Sequence, residues 1–305
     1  MQALVTGGAG FIGSHLVDAL VDRGAAVRVL DNLETGLEAN LNPAADFVEA
    51  DVADATQVAS AMQGVEVVFH EAALGSVPRS IENPLATNRA NVQGTLTVLE
   101  CARHAGVRRV VSASSSSVYG GEAPLPTNER YALHPKSPYA VSKVAGEQYV
   151  RVYASLLGLD AVCLRYFNVY GPRQRADSPY AAAIPKFVEA LRAGRAAFIH
   201  GDGRQTRDFT FVGDAVQANL LAADAPGTVC DGRAFNIAGG NPASIVEVVD
   251  AIAAALGVPA QYEHGNPRPG DVRDSHADIT AAREILGFQP AVDLATGLRE
   301  TIASV

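Results

Sequence analysis

The sequence predicts an α/β fold, a doubly wound parallel sheet followed by a smaller C-terminal α/β region. Two observations carry that expectation. Short apolar runs alternate with segments of helical periodicity through residue 166, and glycines 7, 10 and 13 punctuate the first strand-to-helix passage. Strands joined through helices need crossover connections, and crossovers bring the strands into parallel register with helices on both faces.

The elements follow in order. Leu4-Val5 runs into Gly7-Gly8-Ala9-Gly10, after which Phe11, Ile12, His15, Leu16, Ala19 and Leu20 recur at helical spacing up to Gly24. Strands are expected at Val27–Asp31, Phe47-Val48, Val65–His70, Val110–Ala113 and Ala161–Tyr166, separated by helices at Ala55–Met62, Val92–His104 and Tyr139–Leu157. Beyond Phe167, Gly171-Pro172, Pro179, Pro185, Gly201 and Gly203 break the rhythm. A second region therefore starts near residue 169, giving an expected division into 1–168 and 169–305. Phe209–Asp224 reads as a helix and Ala234–Ile237 as a strand able to rejoin the sheet, a return segment near 208–240. Ile245–Leu256, Ile279–Leu286 and Leu294–Val305 read as amphipathic helices.

With 33 acidic against 24 basic residues the net charge is −9, which disfavours nucleic acid as a partner. Cys101, Cys163 and Cys230 are odd in number and widely separated, so neither a disulfide framework nor a metal site is expected. The N-terminus has no basic leader, and no apolar stretch is long enough to span a membrane, so a cytoplasmic location is expected.

Gly7, Gly10 and Gly13 suit a dinucleotide. The first turns the chain, the second admits a pyrophosphate to the backbone, and the third lets helix and strand approach, with the helix N-terminus facing the anion. Asp31 ends the second strand, where a carboxylate accepts ribose hydroxyls and repels a 2′-phosphate. With Asn32 beside it and no arginine adjacent, NAD is the expected cofactor. Tyr139 and Lys143 share one helix face. A phenol has a pKa of about 10, so it becomes a base at neutral pH only if positive charge stabilises its anion. Ser114 to Ser117 close the strand at 110–113, at the carboxyl edge where ligands bind in such folds.

Together, Thr6–Gly13, Asp31, the Ser-rich Val118-Tyr119-Gly120 segment, Tyr139-x-x-x-Lys143 and Arg165-Tyr166-Phe167-Asn168 resemble the extended short-chain dehydrogenase/reductase family. Within it, the chain is similar to the UDP-hexose 4-epimerases. The resemblance implies a UDP-sugar substrate. It makes Tyr139 the base and acid at the C4 hydroxyl and Lys143 its ribose-binding neighbour. Ser115 becomes the catalytic serine, with Ser116 and Ser117 as alternative carriers of that role. Phe11, Ile12, Asp51, Val52, Ala72, Ala73, Asn91 and Tyr166 fall where the family lines its NAD site. Arg207, Arg268 and Asn168 fall where it holds the nucleotide, and Gly75, Ser76, Ser117 and Ser275 where it faces the sugar. Related dehydratases carry an Asp-Glu pair where this chain has Ser116 and Ser117, so epimerisation is expected over dehydration. A serine at 275 in place of a bulky tyrosine, with small Gly75 and Ser76, implies room for a 2-N-acetyl group. Two other readings compete: an epimerase or decarboxylase acting on UDP-glucuronate, with Arg79 as carboxylate partner, and a non-catalytic NAD-binding regulator. Helices 92–104 and 139–157 carry apolar positions on more than one face, and related enzymes pair them, so a homodimer is expected.

Overall fold

The computed structural model describes residues 1–176, 182–267 and 272–304. Through β6 the elements alternate as expected: β1 (Gln2–Thr6), α1 (Phe11–Asp22), β2 (Ala26–Asp31), β3 (Asp46–Glu49), α2 (Ala55–Ala61), β4 (Val67–His70), α3 (Val77–Glu82), α4 (Pro84–Asn88), α5 (Gly94–Ala105), β5 (Arg109–Ser115), α6 (Pro138–Leu157) and β6 (Ala161–Tyr166). The C-terminal part adds β7 (Val169–Tyr170), α7 (Ala183–Arg192), β8 (Ala197–His200), β9 (Thr206–Arg207), β10 (Thr210–Phe211), α8 (Val212–Asp224), β11 (Asp231–Ile237), β12 (Ala243–Ser244), α9 (Ile245–Leu256), β13 (Tyr262–Gly265) and α10 (Leu294–Ala303).

The main sheet has the order β11-β6-β5-β4-β1-β2-β3, and every pairing in it is parallel. Winding reverses between β1 and β4, which opens a crevice at their carboxyl ends. Helices α1 and α8 cover one face through Leu16, Val17, Leu20, Ala215 and Leu220, against Val5, Phe69 and Val111. Helices α2, α5 and α6 cover the other through Val58, Val98, Leu99, Val150 and Tyr153, against Leu4, Val68 and Val110. A further core joins α7, α9 and α10 through Ile184, Phe187, Val248, Ile252 and Leu298.

Four elements differ from expectation. The helix expected from Phe209 begins at Val212, because Thr210 and Phe211 pair in parallel with Val169 and Tyr170. A two-residue bridge across the chain competes with the local periodicity and wins. The helix expected over 279–286 is a wide π-type turn at Ala282–Leu286, and the last helix stops at Ala303. The helix expected from Val92 is entered through a π-type turn, Arg89–Gln93, and becomes regular at Gly94.

Helix α6 is defined at both ends. Ser137 Oγ accepts the Ala140 N–H at 3.1 Å, Pro138 stands at the first helical position, and Gly158 closes the helix at φ 72°. Those stops put Tyr139 in the first turn, level with the sheet's carboxyl edge. A buried ion pair anchors the helix to the sheet. Arg165 Nε and Nη2 donate to Glu147 Oε1 and Oε2 at 2.8 and 2.7 Å, and Ser114 Oγ donates to Glu147 Oε1 at 2.6 Å. Arg165 Nη1 continues to Tyr119 Oη at 2.7 Å, and Tyr119 donates to Asn236 Oδ1 at 2.7 Å. The network thus ties β5, α6, β6 and β11 together. Replacing Glu147 by leucine leaves the Arg165 charge enclosed and unpaired, which costs about 3–5 kcal/mol. The expected result is a markedly lower urea midpoint for Glu147→Leu than for the parent.

Candidate active site

A cleft of about 990 Å³ runs along the carboxyl edge from Asp31 to Ser275. Its first wall is the β1–α1 turn. Gly7 has φ 72°, and a Cβ there would lie 2.7 Å from the Ala72 nitrogen; a Cβ on Gly13 would lie 2.2 Å from the Gly7 oxygen. Only glycine permits this approach, and the turn leaves the α1 N-terminus uncapped by any side chain. Gly7, Gly10, Phe11, Ile12 and Gly13 all line the cleft.

Asp31 sits at the end of β2 with both oxygens facing local donors. Ala9 N–H reaches Oδ2 at 3.0 Å and Leu33 N–H reaches Oδ1 at 2.8 Å. Burial raises its pKa, and these backbone bonds pull it back. Each oxygen retains acceptor capacity for a ribose hydroxyl. Asn32, Asp51, Val52, Ala72, Ala73 and Tyr166 also line the cleft. The Asp51 carboxylate accepts the Ala53 N–H at 2.8 Å and pairs with Arg89. The uncapped helix end, the glycine cradle and the ribose-facing acid fit NAD together. Asn91 differs from expectation: it is buried behind the wall, where Oδ1 accepts the Leu74 N–H at 2.8 Å and Nδ2 donates to Ser142 Oγ at 2.9 Å. Its amide is consumed in shaping the 72–75 segment and does not line the cleft.

At the floor, strand alternation sorts the serines. Ser114 points to Glu147 on one face, while Ser115 points to the other, acts on the Tyr139 hydroxyl in favour of its anion, and accepts the Ser117 N–H at 3.1 Å. Ser116 and Ser117 line the cleft, and the enclosed Ser117 Oγ meets no partner among the described residues. Lys143 Nζ donates to Ala113 O at 2.8 Å and lies 6.0 Å from the centre of the Tyr139 ring. Burial pushes the Tyr139 phenol up, opposed by the Ser115 hydrogen bond, and pushes the Lys143 ammonium down. The expected acid phenol is therefore not created by the lysine alone. Further positive charge must enter the cleft to produce it.

The far wall comes from the C-terminal part. Arg207 lines the cleft, with Nη1 donating to Thr206 O at 2.8 Å and Arg273 O at 3.1 Å, and Ser275 N–H donates to Thr206 O at 3.1 Å. Residues 207 and 275 are thereby neighbours. Asp208, missed in the sequence reading, holds this wall in place: its buried carboxylate accepts the N–H groups of Gly240 at 2.9 Å and Ala277 at 3.0 Å. Asn168 lines the cleft and donates to Asp208 O at 3.0 Å. Gly75 and Ser275 also line it. Ser76 does not, because its Oγ caps α3 by accepting the Arg79 N–H at 3.3 Å. Arg79 lies 4.0 Å from Glu34 Oε1, towards the Asp31 end. Arg268 lies outside the described residues.

Comparison with known proteins places the chain. Residues 3–238 match the NAD dependent epimerase/dehydratase family. A UDP-glucose 4-epimerase from Mycolicibacterium smegmatis is 45% identical over 309 residues, covering 99% of this chain and 97% of that protein. The crystal structure of a Thermotoga maritima UDP-glucose 4-epimerase with UDP-glucose superposes with a TM-score of 0.95 at 38% identity, covering 100% of this chain and 98% of that one. A UDP-N-acetylglucosamine 4-epimerase from Methanobrevibacter ruminantium, in complex with UDP-N-acetylmuramic acid, gives 0.94 at 38%, covering 99% and 97%. With the all-parallel sheet and its glycine-lined cleft already in view, these similarities establish that the chain belongs to the NAD-dependent epimerase/dehydratase family of extended short-chain dehydrogenase/reductases.

Proposed function

We propose that the protein interconverts the C4 epimers of a UDP-hexose and accepts N-acetylated sugars, UDP-N-acetylglucosamine and UDP-N-acetylgalactosamine, alongside UDP-glucose and UDP-galactose. Residues 1–168 with the returning segment 208–240 bind the dinucleotide in this reading, and 169–305 bind the nucleotide sugar. One observation carries it: Tyr139 and Ser115 line the same cleft as Arg207 and a small Ser275.

Tyr139, as phenolate, takes the proton of the C4 hydroxyl while Ser115 holds that oxygen by a hydrogen bond. NAD, which the Gly7–Gly13 turn and Asp31 would hold, would supply a hydride acceptor and donor for C4 and a positive charge beside the phenol. Lys143, held by Ala113 O, lines the same space with donor capacity to spare. Once the 4-keto sugar has turned its other face to the floor, Tyr139 returns the proton to the C4 oxygen. No proton is gained or lost overall. Elimination of water would need an acid and a base beside Ser115, and Ser116 and Ser117 supply neither.

The same reading includes a homodimer. Val141, Val152 and Leu156 stand 53%, 46% and 76% exposed on one stripe of α6, an apolar face of the kind a second copy would cover.

Three outcomes are expected. Tyr139→Phe loses roughly 10²–10⁴-fold in turnover, measured by resolving the C4 epimers of UDP-N-acetylglucosamine and of UDP-glucose. Ser275→Tyr loses roughly 100-fold on the N-acetylated sugar and keeps activity on the plain one; absence of activity on the N-acetylated sugar in the parent refutes the substrate assignment. Val152→Glu combined with Leu156→Glu sediments and scatters light as a monomer where the parent is a dimer.

A further inference from the structure

Beneath the Tyr139–Lys143 couple lies a chain of buried polar side chains that the proposed chemistry leaves unused. Tyr166 Oη is 2.7 Å from Glu71 Oε1 and 2.7 Å from Asn219 Nδ2. Asn219 Nδ2 is also 3.0 Å from Ala215 O, the carbonyl one turn earlier on α8. A carbonyl only accepts, so the asparagine must present its NH₂ to this side, and one N–H then points at the phenol. Having accepted from Asn219, Tyr166 gives its own proton to Glu71. The relay therefore has a direction, and it ends on a carboxylate that lines the cleft.

The charges around the couple single this carboxylate out. Tyr139 is faced by Ser115 and Glu71. Lys143 is faced by Glu71, Cys163 and Glu147. Of these, Glu147 is neutralised by the bidentate Arg165 pair, and burial pushes the Cys163 thiol well above its ordinary value, so it carries no charge. His70, which feels Lys143, is pushed down to about 3 and stays neutral between Thr6 and Thr95. Among the described residues, Glu71 is then the carboxyl group that acts on both Tyr139 and Lys143 and has no arginine partner. Burial raises its carboxyl above the ordinary carboxylate range, and the Tyr166 hydrogen bond, Lys143 and Asn219 oppose that shift in favour of the carboxylate.

We propose that Glu71 is a positioning residue: the Asn219–Tyr166 relay fixes its carboxylate as the counter-charge of Lys143, and that counter-charge sets the pH range in which Tyr139 works. The inference rests on the role proposed above for Tyr139 and Lys143. The sign follows from electrostatics. An anion raises the proton affinity of both the phenol and the ammonium, so its removal moves both limbs of the pH–activity profile to lower pH.

The test uses the purified holoenzyme. Glu71→Gln keeps an acceptor for Tyr166 and removes the charge. Its kcat/KM profile with UDP-glucose should move to lower pH by about one unit. The tyrosinate absorbance of Tyr139, taken as the difference between each protein with and without Tyr139→Phe, should move with it. Tyr166→Phe and Asn219→Ala, which cut the relay, should move both readouts in the same direction by less, and they decide the matter if Glu71→Gln does not fold. Unmoved profiles and tyrosinate midpoints overturn the inference, as does a fall in kcat without any displacement, which marks a packing role. Tyr139→Phe separates the two proposals: if it is inactive while Glu71→Gln leaves the profile in place, this inference alone fails, whereas an active Tyr139→Phe removes the function on which it rests.

Discussion

Parallel pairing of β1, β4, β5 and β6 brings four strand ends to one edge, and the rest of the molecule is arranged around that edge. The turn after β1 supplies the glycine cradle, β4 ends at His70 and leads into Glu71, β5 ends at Ser115, and β6 ends at Tyr166. A shift of one residue in β5 would exchange Ser114 and Ser115, putting the wrong hydroxyl beside Tyr139. The Glu147–Arg165 pair guards against that slip, because Ser114 is its hydrogen-bond partner and Arg165 belongs to the adjacent strand.

Low polarity beneath the edge makes each charge there consequential. Burial alone opposes ionisation of both Tyr139 and Lys143, so the cleft presents a neutral-leaning couple that responds strongly to any charge brought near it. Arg165 and Glu147 cancel one another, leaving Glu71 as the protein's own contribution on one side. A cationic ring entering on the other side has the opposite effect on the phenol.

The substrate wall is built differently. Its residues come from three distant stretches, near 207, 240 and 277, and Asp208 gathers them by accepting backbone N–H groups from two of them. A carboxylate serving backbone donors is insensitive to the identity of the neighbouring side chains, so position 275 can vary in size while the wall stays in place. That is the physical basis for reading Ser275 as a determinant of sugar size.

Periodicity and glycine spacing were enough to determine the doubly wound sheet, the dinucleotide turn and the Tyr139–Lys143 helix face, because each depends on residues close together in the chain. The boundaries at 209–212 and 279–286 were not legible, since a two-residue bridge and a π-type turn answer to distant partners. The same distinction runs through the site. Tyr139, Asp31 and the glycines announce themselves by local context, whereas Asn91 and Ser76 spend their polar atoms on Leu74, Ser142 and the start of α3. Glu71, Asn219 and Asp208 give no local signal, because their importance lies in burial and in partners 32 to 95 residues away. Chain-local geometry was readable from the sequence; which charges are enclosed together, and which of them remain uncompensated, was decided only when the sheet and its covering helices closed around them.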